Sequence, residues 1–351
     1  MKRILAAVVV ALCLAGAAWW GVRDFYRPYR GFTGREMLEI PPGMGAPAIA
    51  DLLVSHGVLS HRWPFLACYW MGRKRHRLKA GEYLFDRPLR PIDVYRKLVA
   101  GDVYLYSVVI PEGSDRFDVA RIFAERMAID SADFLRRTEQ TALIHDLDPQ
   151  APSLEGYLFP DTYRFPRGVT ADTVIATMTT RFRHVLQTRF HDEAAPGAVD
   201  LHAVVTLASL VEKETPDPAE RPVVAEVFTR RLKKGMLLQC DPTVVYAARL
   251  ADRPIGIIRV SDLKFASPFN TYLHAGLPPG PIANPGEISL RAAFHPQGGD
   301  ALYFVSNNHG GHVFSKTLAE HQRNVARYRK ESGVRSQKSG GKKQSTAHGR
   351  Q

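Results

Sequence analysis

Apolar positions along the chain form an unbroken run at the N-terminus, short alternating runs, and longer runs with helical spacing. Residues 4–22 carry no charge and follow Lys2 and Arg3. A run of that length crosses a bilayer as one helix. Residues 23–36 read as a polar and aromatic juxtamembrane linker. A strand at 37–40 closes at Pro41-Pro42-Gly43, and an amphipathic helix at 46–56 stops at Gly57. An aromatic helix at 62–72, a strand at 78–85, a helix at 91–100 capped by Gly101, and an alternating strand at 104–110 follow. Helices at 117–127 and 131–139 precede a long amphipathic one at 171–190. Residues 201–214 are good helix formers, apolar on nearly all sides, which predicts a buried helix. Pro216 ends it near Glu214. Helices at 222–233, 289–295 and 318–330, a buried strand at 301–306 and its hairpin partner at 310–315 complete the pattern. Residues 332–351, rich in Gly, Ser, Gln and Lys without an acid, read as a disordered basic tail.

The expected fold is therefore mixed α+β. A transmembrane helix at 4–22 precedes a small α/β unit at 37–110 and a larger α+β domain at 111–331. Strand-helix-helix-strand in so small a unit is the layout of a LysM-type glycan-binding module. The aromatic cluster Trp63, Phe65, Tyr69 and Trp70 reads first as the core side of a helix, with a sugar platform as the alternative. For the N-terminus the rival to an anchor is a cleaved signal peptide, since Ala15-Gly16-Ala17 is a small-residue site. Trp19 and Trp20 resemble interfacial aromatics and favour retention. Arg23, Arg27 and Arg30 rival Lys2 and Arg3 in the positive-inside count, so the short N-terminus makes the default orientation N-inside with the body outside. Leu12 is too bulky for a lipoprotein site at Cys13.

The net charge of +12 suits an anionic partner such as a membrane surface or an acidic cell-wall polymer. Nucleic acid is not expected: no P-loop, zinc-finger spacing or aromatic RNA-binding signature is present. Cys13, Cys68 and Cys240 are too few for a disulfide framework, and Cys68 and Cys240 read as buried thiols or a single disulfide. His309, His312 and His321 match no zinc spacing, so no metal or cofactor is expected.

Chemistry gathers at the end of the buried helix. Glu214 shares its face with Val211, Leu210 and Leu207, whereas Glu212 shares the less apolar face of Ser209, Ala208 and Val205. Desolvation and the negative helix end both disfavour a charged Glu214. A carboxyl that keeps its proton near neutrality is what a general acid must be; the alternative is a surface Glu paired with Lys213. The stretch 237–246, LLQCDPTVVY, offers Asp241 as an expected helix cap, and 154–165, LEGYLFPDTYRF, carries Glu155 and Asp161 beside aromatics. Acids beside rings suit a carbohydrate cleft, and a packed aromatic turn competes with that reading. The long segment 267–285, SPFNTYLHAGLPPGPIANP, opens on Asn270, Thr271 and Tyr272 and is too apolar for disorder.

Taken in order, LEGYLFPDTYRF (154–165), ASLVEKET (208–215), LLQCDPTVVYA (237–247), SPFNTYLHAGLPPGPIANPG (267–286), FHP (294–296) and YFVSNNHGGHVFSKTLAEH (303–321) resemble the endolytic murein transglycosylase (YceG-like) family. The resemblance covers most of residues 35–330 and includes the N-terminal anchor. It implies a LysM-like subdomain ahead of a catalytic domain. It implies an inner-membrane enzyme with its catalytic domain on the periplasmic side, working beside cell-wall synthases (penicillin-binding proteins). Its substrate is the glycan strand of peptidoglycan, cut between MurNAc and GlcNAc within nascent strands to leave 1,6-anhydro-MurNAc ends and end elongation. Glu214 is implied as the catalytic acid, with Thr215 where other lytic transglycosylases carry Ser after Glu. Cys240 departs from the family, which usually has a small hydroxyl residue before Asp-Pro. Glu155, Asp241, Asn270 and Tyr272 are the expected substrate-binding residues. A membrane-anchored peptidoglycan-binding scaffold without catalysis and an ordinary muramidase are the competing functions.

Overall fold

The computed structural model describes residues 2–73, 75–194 and 199–340 and is mixed α+β, as the pattern predicts. The chain divides into two compact units. The first comprises Met1–Ser107 with Arg164–Gly168, and the second Val108–Tyr163 with Val169–Gln351.

In the first unit, helix α1 (Lys2–Tyr26) precedes β1 (Glu36–Ile40), α2 (Ala46–Ser55), α3 (Trp63–Gly72), β2 (Gly81–Phe85) and α4 (Pro91–Ala100). Within α1, Val8–Tyr26 is long and apolar enough to span a membrane. Strands β1 and β2 pair antiparallel, from Glu36 opposite Phe85 to Ile40 opposite Gly81. Their alternation turns Leu38, Ile40, Tyr83 and Phe85 inward onto Leu53 of α2, Phe65 of α3 and Leu98 of α4. Pro in the first turn of α2, α3 and α4 lacks only an N–H that would be unpartnered there. Helix α3 is divided: Phe65, Leu66 and Cys68 are core, while Trp63 and Trp70 face solvent. The core reading of that aromatic cluster thus holds for one face only.

The next strand, β3 (Tyr106–Val109), pairs with β4 (Thr162–Phe165), and the boundary between units falls within these two strands. The second unit continues with α5 (Arg116–Met127), α6 (Ser131–Thr138), α7 (Ala171–Arg189), α8 (Leu201–Glu214), α9 (Arg221–Lys233), α10 (Asp241–Leu250), α11 (Glu287–Phe294), the antiparallel hairpin β5 (Tyr303–Ser306) and β6 (His312–Ser315), and α12 (Leu318–Gly340). Helix α12 runs into the stretch read as a tail, of which residues 341–351 lie outside the described residues. The strand at 301–306, expected to be buried, is only half-buried at Tyr303, Phe304 and Val305.

Helix α8 is the centre of this unit. Val205 through Val211 are all buried, and α8 packs against α9, α10 and α11. The turn at 155–158 sits on it through Gly156, whose φ is +89°. A Cβ there would lie 2.5 Å from Pro281 and 2.9 Å from Val205. Gly156→Ala is therefore expected to lose about 2–3 kcal/mol of stability from left-handed strain and overpacking. A lowered urea midpoint at unchanged slope would register it.

Candidate active site

The site is assembled where α8 ends, beside the start of α10. Thr215 leaves the helix in extended geometry, as the residue before Pro216 must. Glu214 is part-buried and has no ion pair among the described residues. Lys213, its expected partner in the surface reading, donates instead to the Gly113 carbonyl at 3.0 Å. The only side-chain hydrogen bond recorded to Glu214 among the described residues comes from the Cys240 thiol, Sγ to Oε2 at 3.3 Å. Burial lifts the Glu214 carboxyl above its ordinary range, and Asp241 adds to the lift; the thiol and the charges of His312 and Arg231 only partly oppose it. Cys240 is itself fully enclosed, and burial with Glu214 beside it pushes the thiol up, so it stays an S–H donor.

Glu212 has another role. Its side chain is 4 % exposed and meets Arg221 at 2.9 Å, and one oxygen accepts the Gly286 N–H at 3.0 Å. Burial raises its carboxyl while the Gly286 N–H and Arg221 oppose this. Both oxygens are committed to holding α9 and the start of α11 against α8. Of the paired acids at this helix end, Glu214 is the one without an ion pair among the described residues.

The other sequence-derived candidates separate into two layers. Asp241 is exposed at the first turn of α10 and accepts from the Tyr272 hydroxyl at 2.5 Å. Asp241 is exposed and Tyr272 half-buried, and both lie beside Glu214. The helix cap itself is Cys240, one residue before the expected Asp241. Asn270 is fully buried: its amide donates to the Leu263 and Phe265 carbonyls at 3.0 and 2.8 Å, and its oxygen accepts from Tyr272 N–H at 2.9 Å. It shapes the loop that carries Tyr272. Glu155, 1 % exposed, lies inside the protein, accepting from Arg116 N–H at 3.0 Å, the Tyr246 hydroxyl at 3.0 Å and the Asn284 amide at 3.1 Å. Burial, with Asp115 nearby, pushes its carboxyl up to about 8. It ties the start of α5 to α10 and offers no surface to a ligand in this conformation.

Several residues at the site carried no signal in the pattern. Asn284, fully buried, accepts from Gly156 and Leu158 N–H, both at 2.9 Å, and donates to the Ser114 carbonyl at 2.8 Å. Thr271 Oγ1 accepts the Cys240 N–H at 3.0 Å, and Gln239 before it takes φ +50°. His312 of β6 sets its ring and its N–H on Glu220, each at 2.7 Å, and Thr215 donates to the same carboxylate at 3.1 Å. Burial would raise Glu220, yet these three contacts bring it below its ordinary value. His312, which the spacing leaves as a loop or surface histidine rather than a metal ligand, has a carboxylate as its partner. Cys68 and Cys240 are both free thiols.

A hydroxyl donates to a carboxylate more strongly than a thiol does. Cys240→Ser is therefore expected to stabilise ionised Glu214 and lower its pKa. A general acid works only below its pKa, so the alkaline limb of the kcat/KM profile should move to lower pH, and an unmoved limb would show that the thiol does not tune Glu214.

A sequence profile of the YceG-like family matches residues 38–327. The endolytic murein transglycosylase of Bacillus subtilis (strain 168) is 33 % identical over 308 residues, covering 83 % of this chain and 84 % of that protein. Its namesake from Streptococcus pneumoniae serotype 2 (strain D39 / NCTC 7466) is 26 % identical over 318 residues, covering 82 % of this chain and 57 % of that protein. The crystal structure of a protein described as YceG-like from Listeria monocytogenes is similar with a TM-score of 0.56 and 31 % identity, covering 82 % of this chain and 98 % of that one. With most of its length matched by the profile and by these relatives, the chain belongs to the YceG-like family.

Proposed function

We propose that this protein is an endolytic lytic transglycosylase that cuts the MurNAc–GlcNAc bond within nascent peptidoglycan strands and leaves 1,6-anhydro-MurNAc ends, terminating elongation. The observation that carries the reading is Glu214: a part-buried carboxyl without an ion pair among the described residues, at the end of a buried helix, lifted above its ordinary range. The murein transglycosylase names of its relatives supply the substrate class. Most glycosidases use two carboxylates; here one serves both steps. Protonated Glu214 gives its proton to the glycosidic oxygen as the bond to muramyl C1 breaks, and GlcNAc leaves with a 4-hydroxyl. The muramyl N-acetyl group supports the oxocarbenium-like centre. The ionised Glu214 then takes the proton of the muramyl 6-hydroxyl as that oxygen bonds to C1. No water is consumed and the acid is regenerated.

Asp241 and Tyr272 position sugar at the mouth of the site, while Asn270 and Glu155 act from behind, holding the loops that carry it. Residues 37–110 serve as a LysM-like glycan-binding subdomain and 111–331 as the catalytic domain. Helix α1 is a retained single-pass anchor in the inner membrane, with the body on the periplasmic side beside cell-wall synthases.

The test is the sugar end left on purified sacculi, read by mass spectrometry with the reaction run in heavy-oxygen water. Anhydro-muramyl ends without label support the proposal. Reducing muramyl ends carrying label would make the protein a muramidase. Sacculi bound but uncut would make it a scaffold.

A further inference from the structure

The first unit presents a surface that neither its core nor the proposed chemistry uses. On α3, Trp63 and Trp70 are seven residues apart and share a face. They are 36 % and 58 % exposed, and Met71 beside them is 74 % exposed. Directly after α3 come Arg73, Arg75, His76, Arg77 and Lys79, all exposed. None of them pairs with a carboxylate among the described residues, and Lys79 donates only to the Ala100 carbonyl at 3.0 Å. An apolar face joined to unpaired basic side chains is the composition of an element lying in the headgroup layer of a membrane.

The position of this surface points the same way. The C-terminal end of α1 is fastened to the start of α3. The Trp20 ring lies 6.3 Å from that of Trp63 and 5.3 Å from that of His61. Asp24 accepts from Ser60 at 3.0 Å and pairs with His61 at 3.1 Å. Trp19 and Trp20 are where an aromatic belt would sit if α1 crosses the bilayer. The start of α3 is then held at the level of the headgroups.

We propose that the Trp63–Trp70–Met71 face of α3, with Arg73, Arg75, Arg77 and Lys79 after it, rests on the anionic phospholipid surface of the bilayer that α1 spans. This rests on the reading of α1 as a retained anchor. Lipid, rather than an acidic glycan polymer, is the partner because Trp63 is held against Trp20 at the end of α1, at the level of the headgroups, and Met71 has no ring to set against a sugar face. Arg73, Arg75 and Arg77 are attracted to anionic headgroups, an effect that falls off within a Debye length. Anchored both by α1 and by this surface, the first unit keeps one face on the membrane.

The test uses the full chain reconstituted in phosphatidylcholine vesicles with or without phosphatidylglycerol, made with plain or acyl-brominated lipid. The Trp70 share of the fluorescence is the difference between the wild type and Trp70→Phe. In vesicles containing phosphatidylglycerol that share should be lost to bromine quenching. It should return when Arg73, Arg75 and Arg77 are all changed to Gln. A Trp70 share equal in plain and brominated vesicles would overturn the proposal, as would protection of Trp70 by soluble glycan without lipid. Quenching that ignores both phosphatidylglycerol and the triple variant would overturn the role of charge. Release of the chain from the vesicles by alkaline carbonate, with Trp19 and Trp20 also unquenched, would instead mark failure of the anchor reading.

Discussion

Glu214→Gln should fold, bind glycan strands and release no anhydro-muramyl ends from sacculi. The amide keeps the size and neutrality of the protonated acid and can still accept from the Cys240 thiol at the distance seen, 3.3 Å. It can neither give nor take the proton. Loss of a general acid alone costs roughly 10²–10⁴-fold in rate, and in the proposed mechanism the same group is also the base, so the drop should reach the upper end of that range. The wild-type rate should fall as pH rises through the raised Glu214 pKa, and residual activity of the variant should lack that limb. Normal anhydro product from Glu214→Gln would remove this residue from the mechanism.

Glu212→Ala is expected to fail differently, by unfolding. It strands the Arg221 guanidinium, 6 % exposed, with only the half-exposed Glu112 at 3.4 Å to answer its charge. It also frees the Gly286 N–H that Glu212 accepts. Removing one partner of a buried pair costs about 3–5 kcal/mol, and Glu112 should hold the loss to the lower end. Equilibrium denaturation would measure it. Replacing both partners by apolar residues, Glu212→Leu with Arg221→Met, should recover most of the loss, since the stranded charge is then gone. A stable Glu212→Ala would mean that the pair does not hold α9 and α11 to α8. The two neighbouring glutamates are thus distinguishable by the kind of failure each substitution produces.

Most helices could be read from the sequence because Pro and Gly mark their ends: Pro216 after α8, Gly101 after α4. Strand β4 could not. Thr162–Phe165 does alternate between exposed and buried, but Pro160 and Asp161 beside it read as a turn, and its partner β3 is far away in the chain. The enclosure of the Glu214 carboxyl, though not its role, is legible because Val211, Leu210 and Leu207 define the face it shares. Glu155 looked equally suited to a sugar cleft, but an acid among aromatics can point into the protein or out of it, and local pattern does not distinguish the two. Its donors, Arg116, Tyr246 and Asn284, are distant in sequence, and so its burial is set by the fold. Asn270 and Tyr272 share one loop, yet one is enclosed and the other reaches Asp241. Cys240 read as a size-conserving change; its contact with Glu214 joins residues from two helices and could not appear in either stretch alone.

That contact places Glu214 between two helix ends of opposite polarity. It belongs to the C-terminus of α8, where carbonyls repel a negative charge, and it touches the residue capping the N-terminus of α10, where N–H groups attract one. Asp241 weakens the attractive end, and burial leaves the carboxyl above its ordinary range. The proposed mechanism asks such a group to give its proton to the leaving oxygen and to take one back afterwards. The junction of α8 and α10 thus sets opposed helix ends around the side chain that the proposed mechanism uses first as acid and then as base.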